Sequence, residues 1–220
     1  MTPRTSRPSW LRTFAVIYTG QTFSLLGSAG ASFALVWWLA VETGSAAVLA
    51  YASIAATLPQ AAVMPLAGAL VDRWDRRRVM IWADLSIAAT SVVLVGLFSA
   101  GSPSTAVIYA LIALRSLGSA FHSNASQAAV PMYVPAAELT KVAGWNFLLM
   151  SGTAMAGPVL GAALMATGSM SVVFAVDIAG AAIAVGSLLL VRIPQPQRSS
   201  CDSPALGLRR CREDGRSGRP

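Results

Sequence analysis

The chain has 220 residues, 55% of them hydrophobic and only 11% charged, with a mean hydropathy of +0.62, a composition that excludes an ordinary water-soluble domain. The net charge of +7 does not mark a nucleic-acid-binding surface, because the basic residues stand in a few short segments between long apolar runs. The basic start (Arg4, Arg7, Arg12) leads into a run too long for a signal peptide, so the first apolar run is expected to stay as a span.

Six apolar segments follow one another at 13–41, 46–71, 79–100, 104–129, 139–166 and 169–191. Each reaches the roughly 20 residues that an α-helix needs to cross hydrocarbon. Backbone polar groups have no water to bond to in lipid, so spans of this length and composition must be helical. The pattern predicts an all-α membrane protein with six transmembrane helices. Three regions are expected: a cytoplasmic segment over 1–12, a six-helix domain over 13–192 and a tail over 193–220. Beyond Pro194 the chain becomes a polar mixture of Arg, Gly, Ser and Pro with no apolar period. Such a tail is expected to be disordered, and it has the look of a reading frame that has slipped. Cys201 and Cys211 both fall in it without the companions a zinc or redox site needs, so neither metal nor cofactor is expected.

Of the 16 Lys and Arg residues, 15 lie at the chain ends, in Arg73–Arg78 or at Lys141. The other three connections, 42–45, 101–105 and 167–169, hold no Lys or Arg at all. Positive loop charge therefore falls on one face, and the positive-inside rule makes that face cytoplasmic with both termini inside. The tryptophans agree: Trp10, Trp74, Trp82 and Trp145 fall near that boundary, and Trp37 and Trp38 near the opposite one.

Between the second and third segments stands Gly68-Ala-Leu-Val-Asp72-Arg73-Trp-Asp75-Arg76-Arg77-Arg78-Val. A plain positive-inside loop would need only the arginines, whereas here Gly68, Asp72, Arg73, Asp75, Arg76 and Arg77 occur together at fixed offsets. Gly68 permits close helix approach, Asp72 is suited to a helix N-terminus or an arginine, and the arginines suit a switchable ion-pair cluster. The run resembles the loop signature of the major facilitator superfamily, with Asp75 in place of the usual second glycine. It looks most like the branch that contains macrolide-efflux and enterobactin-exporter-like proteins. Phe23-Ser24-Leu25-Leu26-Gly27-Ser28 and Thr43-Gly44-Ser45 extend that likeness over nearly all of 14–192.

In the fifth segment Gly152-x-x-x-Ala156-Gly157-Pro158-x-x-Gly161 is similar to the superfamily's antiporter-associated signature. Gly152, Gly157 and Gly161 make a smooth helix face, and Pro158 removes a backbone donor. Plain helix packing would account for the small residues as well.

Arg115 lies about 16 Å into the fourth segment, near the midplane, where an arginine must face protein or a water-filled cavity. Ser119, His122 and Ser126 follow it on the same helix face. Arg115-x-x-Gly118 resembles the superfamily's fourth-span motif, whose arginine is associated with proton coupling; an arginine paired only to hold the bundle is the alternative. Asp177, about 12 Å into the sixth segment, is placed to pair with Arg115, to take up a proton or to anchor a neighbouring helix. The resemblance puts the sixth helix at the bundle periphery, which counts against the first two roles. His122, the sole histidine, suits a proton relay or a hydrogen-bonded bystander. Asp84 and Glu138 read as local partners for Arg76–Arg78.

The resemblance implies one six-helix half of a two-half carrier, the N-terminal half, with substrate held between halves. Spans one and four would then line the pocket, bringing Gln21, Ser24, Arg115, Ser119 and His122 toward it. Spans two and five, with Gly68, Asp72, Gly157 and Pro158, would face a C-terminal half or a second copy of this chain. The function implied is secondary active efflux of hydrophobic drug-like or siderophore-like molecules from a bacterial-type cell membrane by proton antiport. A homodimeric half-carrier and a non-transporting membrane fragment are the alternatives. The implied partners are the lipid bilayer, a small-molecule substrate and protons. Nucleotide loops and nucleophile triads are missing from the sequence, which gives enzyme chemistry no foothold.

Overall fold

The structure, a computed structural model, describes residues 9–101, 103–166 and 169–191; the side chains of Ser9, Ala69, Asp72 and Arg73 are outside the description. The expectations for the tail over 193–220 and for residues 1–8 lie outside the described residues. Six helices follow in order: α1 Ser9–Thr43, α2 Ala46–Arg73, α3 Arg76–Ala100, α4 Thr105–Tyr133, α5 Leu139–Met165 and α6 Met170–Leu190. All six are long and apolar enough to cross a membrane. The chain is a multi-pass membrane protein.

Connections are short. Gly44 and Ser45 alone separate α1 from α2, with Gly44 at φ +56°, a left-handed turn that a side chain would strain. Trp74 and Asp75 separate α2 from α3. Asp75 caps α3 by accepting hydrogen bonds from the Arg77 and Arg78 amides. A single 3-10 turn, Ala136–Glu138, leads into α5.

Neighbours in sequence are mostly not neighbours in space. Helix α1 packs chiefly on α6 and α5, α2 on α4, and α3 on both α4 and α6. Small residues bring the backbones together, because lipid gives helices no hydrophobic reason to associate and close contact must supply it. A Cβ on Gly180 of α6 would lie 2.7 Å from the Phe23 carbonyl oxygen of α1. A Cβ on Gly161 of α5 would lie 2.6 Å from the Gly30 carbonyl oxygen, and one on Gly157 2.5 Å from the Ala29 Cβ. The expectation that Gly157 faces a second half is thereby corrected: Gly157 and Gly161 are buried against α1, because α5 turns this small-residue face inward. Gly68 and Gly152 behave differently, with nothing within 4 Å of the place a Cβ would take. Pro158 is half-buried.

The interior is layered along the helix axes. One apolar cluster, built on Leu35, Leu39, Leu94, Ile108 and Phe174, fills one end. A second, built on Ile17, Val71, Met80, Ala129 and Leu188, fills the other. Between them, at the level of residues 21–28 of α1, 84–91 of α3, 115–122 of α4 and Asp177 of α6, most of the buried side chains are polar or charged, with Ile87 and Ala120 the apolar ones among them. Large apolar side chains such as Phe23, Leu58, Trp82, Phe147 and Leu190 point outward, the reverse of a soluble bundle.

Candidate functional site

The polar layer holds two assemblies. The first joins α4 to α6. Arg115 Nη1 donates to Asp177 Oδ2 at 2.9 Å, to the Ser91 hydroxyl at 2.5 Å and to Thr90 Oγ1 at 3.3 Å. Ser91 Oγ in turn donates to the same Asp177 oxygen, and Ser28 Oγ of α1 donates to Asp177 Oδ1 at 2.6 Å. Asp177 is 0% exposed, and four helices thus converge on one carboxylate. An uncompensated charge here would be expensive, and the pair together with its hydroxyls removes that penalty.

The sequence placed Arg115 toward the pocket and α6 at the periphery. The first expectation is corrected, and so is the consequence drawn from the second, since Asp177 does pair with Arg115. Helix α6 packs along α1 and α3, so Asp177 faces the interior. Arg115 is long enough to bend sideways from its helix stripe into α3 and α6, away from the residues that follow it on α4.

The second assembly joins α1, α3 and α4. His122 Nε2 lies 2.8 Å from Gln21 Oε1 and 3.5 Å from Asp84 Oδ1. Gln21 Nε2 donates to the other Asp84 oxygen at 3.5 Å. Two acceptor oxygens facing Nε2 place the imidazole hydrogen on that nitrogen. All three side chains are buried, at 5%, 3% and 7% exposure for Gln21, Asp84 and His122. Asp84 is therefore not a partner of Arg76–Arg78. The buried face of α3 runs through Met80, Asp84, Ile87, Ser91 and Leu94, and that helical period carries Asp84 inward. Glu138 meets Lys141 instead, at 3.9 Å.

A cavity of about 340 Å³ opens beside this second assembly. Gln21, Ser24, Ser119 and His122 all line it, as do Asp84 and Ser126, while Arg115 and Asp177 do not. Asn146 of α5 and Gln60 of α2 add amides, and Phe14, Tyr18, Val130, Tyr133 and Met150 supply an apolar and aromatic wall. Such a mixture suits an amphiphilic small molecule.

The sequence model described as Major Facilitator Superfamily matches residues 17–210. The chain belongs to this superfamily. Among its curated relatives, macrolide efflux protein A of Streptococcus pyogenes is 40% identical over 188 residues, 85% of this chain and 46% of the relative. A protein of the same name from Enterococcus faecalis is 41% identical over 153 residues, 69% of this chain and 47% of the relative. The chain thus spans about half the length of the curated relatives it matches. No solved structure matches it.

In this facilitator chain the loop signature ties α3 to α6 across more than a hundred residues. Arg77 Nε donates to the Leu188 carbonyl oxygen at 2.7 Å and Nη2 to that of Leu189 at 3.0 Å. It thereby satisfies carbonyls that the last turn of α6 leaves free and complements the negative end of the helix dipole. Arg78 Nε lies 3.6 Å from Asp75 Oδ2 on the surface, and Arg76 is half-buried. The backbone of Asp72 and Arg73 closes α2; their side chains are outside the described residues.

Sequence reasoning missed three ties between helices. Ser116 Oγ donates to the Ala56 carbonyl at 2.7 Å and the Tyr109 hydroxyl to that of Val48 at 3.0 Å, fastening α4 to α2. The Tyr18 hydroxyl donates to the Trp145 carbonyl and fastens α1 to α5. Two of these three donors are tyrosines inside apolar runs, which is the signal that marks such a residue for attention.

Proposed function

We propose that this chain is the N-terminal half of a secondary active exporter of hydrophobic drug-like molecules, of the macrolide kind named for its relatives, driven by proton antiport. The observation that carries this reading is the cavity within the six-helix unit, which offers an aromatic wall beside the amides of Gln21, Gln60 and Asn146, a histidine and a carboxylate. Membership of the superfamily and similarity to the two macrolide efflux proteins support the direction of transport. Substrate would sit between this half and a second six-helix half, and rocking of the halves would expose it to either side. The charged connections support an orientation with both termini in the cytoplasm.

Co-expression with a C-terminal six-helix half taken from the Streptococcus pyogenes relative tests the proposal. Cells carrying both halves should accumulate less radiolabelled macrolide than cells carrying either alone, and collapse of the proton gradient should abolish the difference. Equal accumulation in all three strains refutes it.

Pairing of two copies of this chain is the second reading. It is favoured by the outward faces of α2 and α5, the two spans with the smallest buried share. Cysteines at Leu66 and Ala156, both exposed, should cross-link between copies in membranes if the reading holds. Cross-linking confined to the strain that carries a C-terminal half excludes it.

A further inference from the structure

From the Gln21–Asp84–His122 cluster we infer that the proton exchanged by this chain is held on Asp84 and His122 at the cavity wall, and that Arg115–Asp177 is a structural pair. The inference rests on the antiport reading above and names the site at which it would operate.

Access is the first argument. Asp84 and His122 both line the 340 Å³ cavity, so water entering it reaches them directly. Asp177 and Arg115 do not line it, and Asp177 is 0% exposed. Spare valence is the second. Asp177 already accepts from Ser28, Ser91 and Arg115, and protonation would break that set. In the cavity cluster, Nε2 of His122 carries its hydrogen toward Gln21 and Asp84, and among the described residues no hydrogen-bond partner takes Nδ1. Nδ1 is thus the atom positioned to receive a proton without dismantling anything.

Charge is the third. The titratable residues on the cavity wall are Asp84 of α3, His122 and Tyr133 of α4, and Tyr18 of α1. Helix α2 contributes Gln60 and α5 contributes Asn146, both uncharged, and α6 contributes no wall residue. Behind the wall Asp177 is the other carboxylate whose charge reaches Asp84, and it stands paired with Arg115 at 2.9 Å. A carboxyl and an imidazole about 3.5 Å apart are placed to share one proton. With one proton between them the cluster is neutral; releasing it to cavity water leaves one negative charge. Gln21 bridges both members, accepting from His122 through Oε1 and donating to Asp84 through Nε2. It is a positioning residue that keeps the two in register in either state.

The experiment uses the sole histidine of the chain as its own reporter. The whole chain, purified through a tag free of histidine, is placed in lipid nanodiscs with ring-labelled histidine, and its NMR signal is followed from about pH 5 to 9. Reversible titration of His122 with helicity unchanged is expected. Asp84→Asn, which keeps the shape and removes the charge, should lower the proton affinity of His122 at least about tenfold. A histidine fixed in one protonation state over that range overturns the inference, as does an unaltered midpoint in Asp84→Asn.

Transport separates the two proposals. With a C-terminal half present, Asp84→Asn and His122→Gln should each abolish proton-driven efflux. Efflux that stays proton-driven in both variants overturns the inference and leaves the exporter reading standing. Titration as expected, with no efflux from the unaltered chain, upholds the proton-binding pair and removes the exporter reading.

Discussion

Asp177→Ala offers the sharpest stability test, because it strips the carboxylate from Arg115 in the middle of the bundle. Unit charges 2.9 Å apart attract by about 6 kcal/mol at an effective dielectric of about 20, much of it offset by the cost of removing both ions from water. The cost of breaking the pair from one side is larger than the pair's net worth, since the guanidinium stays buried: about 3–5 kcal/mol. Ser28 loses its acceptor at the same time, and Ser91 is left with the Ile87 carbonyl alone. Arg115→Met combined with Asp177→Leu removes both charges and fills the space, and this double variant should lie within about 2 kcal/mol of the natural chain. The assay is reversible unfolding in mixed micelles as denaturing detergent is raised, followed by circular dichroism, with the natural chain, Arg115→Met, Asp177→Leu and the double variant compared in a thermodynamic cycle. A coupling of at least about 2 kcal/mol is expected between the two positions. Additive effects, or a double variant worse than either single one, refute the reasoning that the pair is held by mutual compensation.

The remaining tests address packing, capping and orientation. Gly161→Val should cost about 1–3 kcal/mol by driving α5 off the Gly30 carbonyl, whereas Gly152→Ala, with open space at that point, should stay within about 0.5 kcal/mol; the same unfolding assay compares them. Arg77→Ala should cost about 1 kcal/mol after allowance for partial exposure, and hydrogen exchange should quicken in the last turn of α6 while α4 is unchanged. With Cys201 and Cys211 changed to Ser, a cysteine at Ser45 should react with an impermeant maleimide in intact cells and one at Glu138 only after permeabilisation. The opposite pattern overturns the proposed orientation.

Hydropathy sufficed for the six helices, whose observed ends all lie within about four residues of the predicted segments; the widest differences are at Ser9 and at Tyr133, where α4 runs on past Pro131. That success has a simple cause. The requirement to satisfy the backbone in hydrocarbon is local, so a run of about 20 apolar residues already contains it. Gln21, Ser24, Ser119 and His122 were legible as polar interruptions of apolar runs, and the structure brings all four to one cavity. The loop signature likewise needed only fixed offsets along the chain.

Partners were another matter. The helices are apolar around nearly their whole circumference, so no face of any one announces what it packs against. Which way α3 and α6 turn was decided by packing between elements far apart in sequence, through contacts such as Gly180 on Phe23 and Gly161 on Gly30. That rotation sends Asp84 to His122 rather than to the arginines six to eight residues before it. It also aims Asp177 at Arg115, 62 positions away. The sequence by itself determined that the chain crosses a membrane six times and which polar groups go with it. Only the tertiary structure decided their pairing, because a buried charge takes the partner that helix rotation puts within about 3 Å, and that rotation depends on all six helices at once.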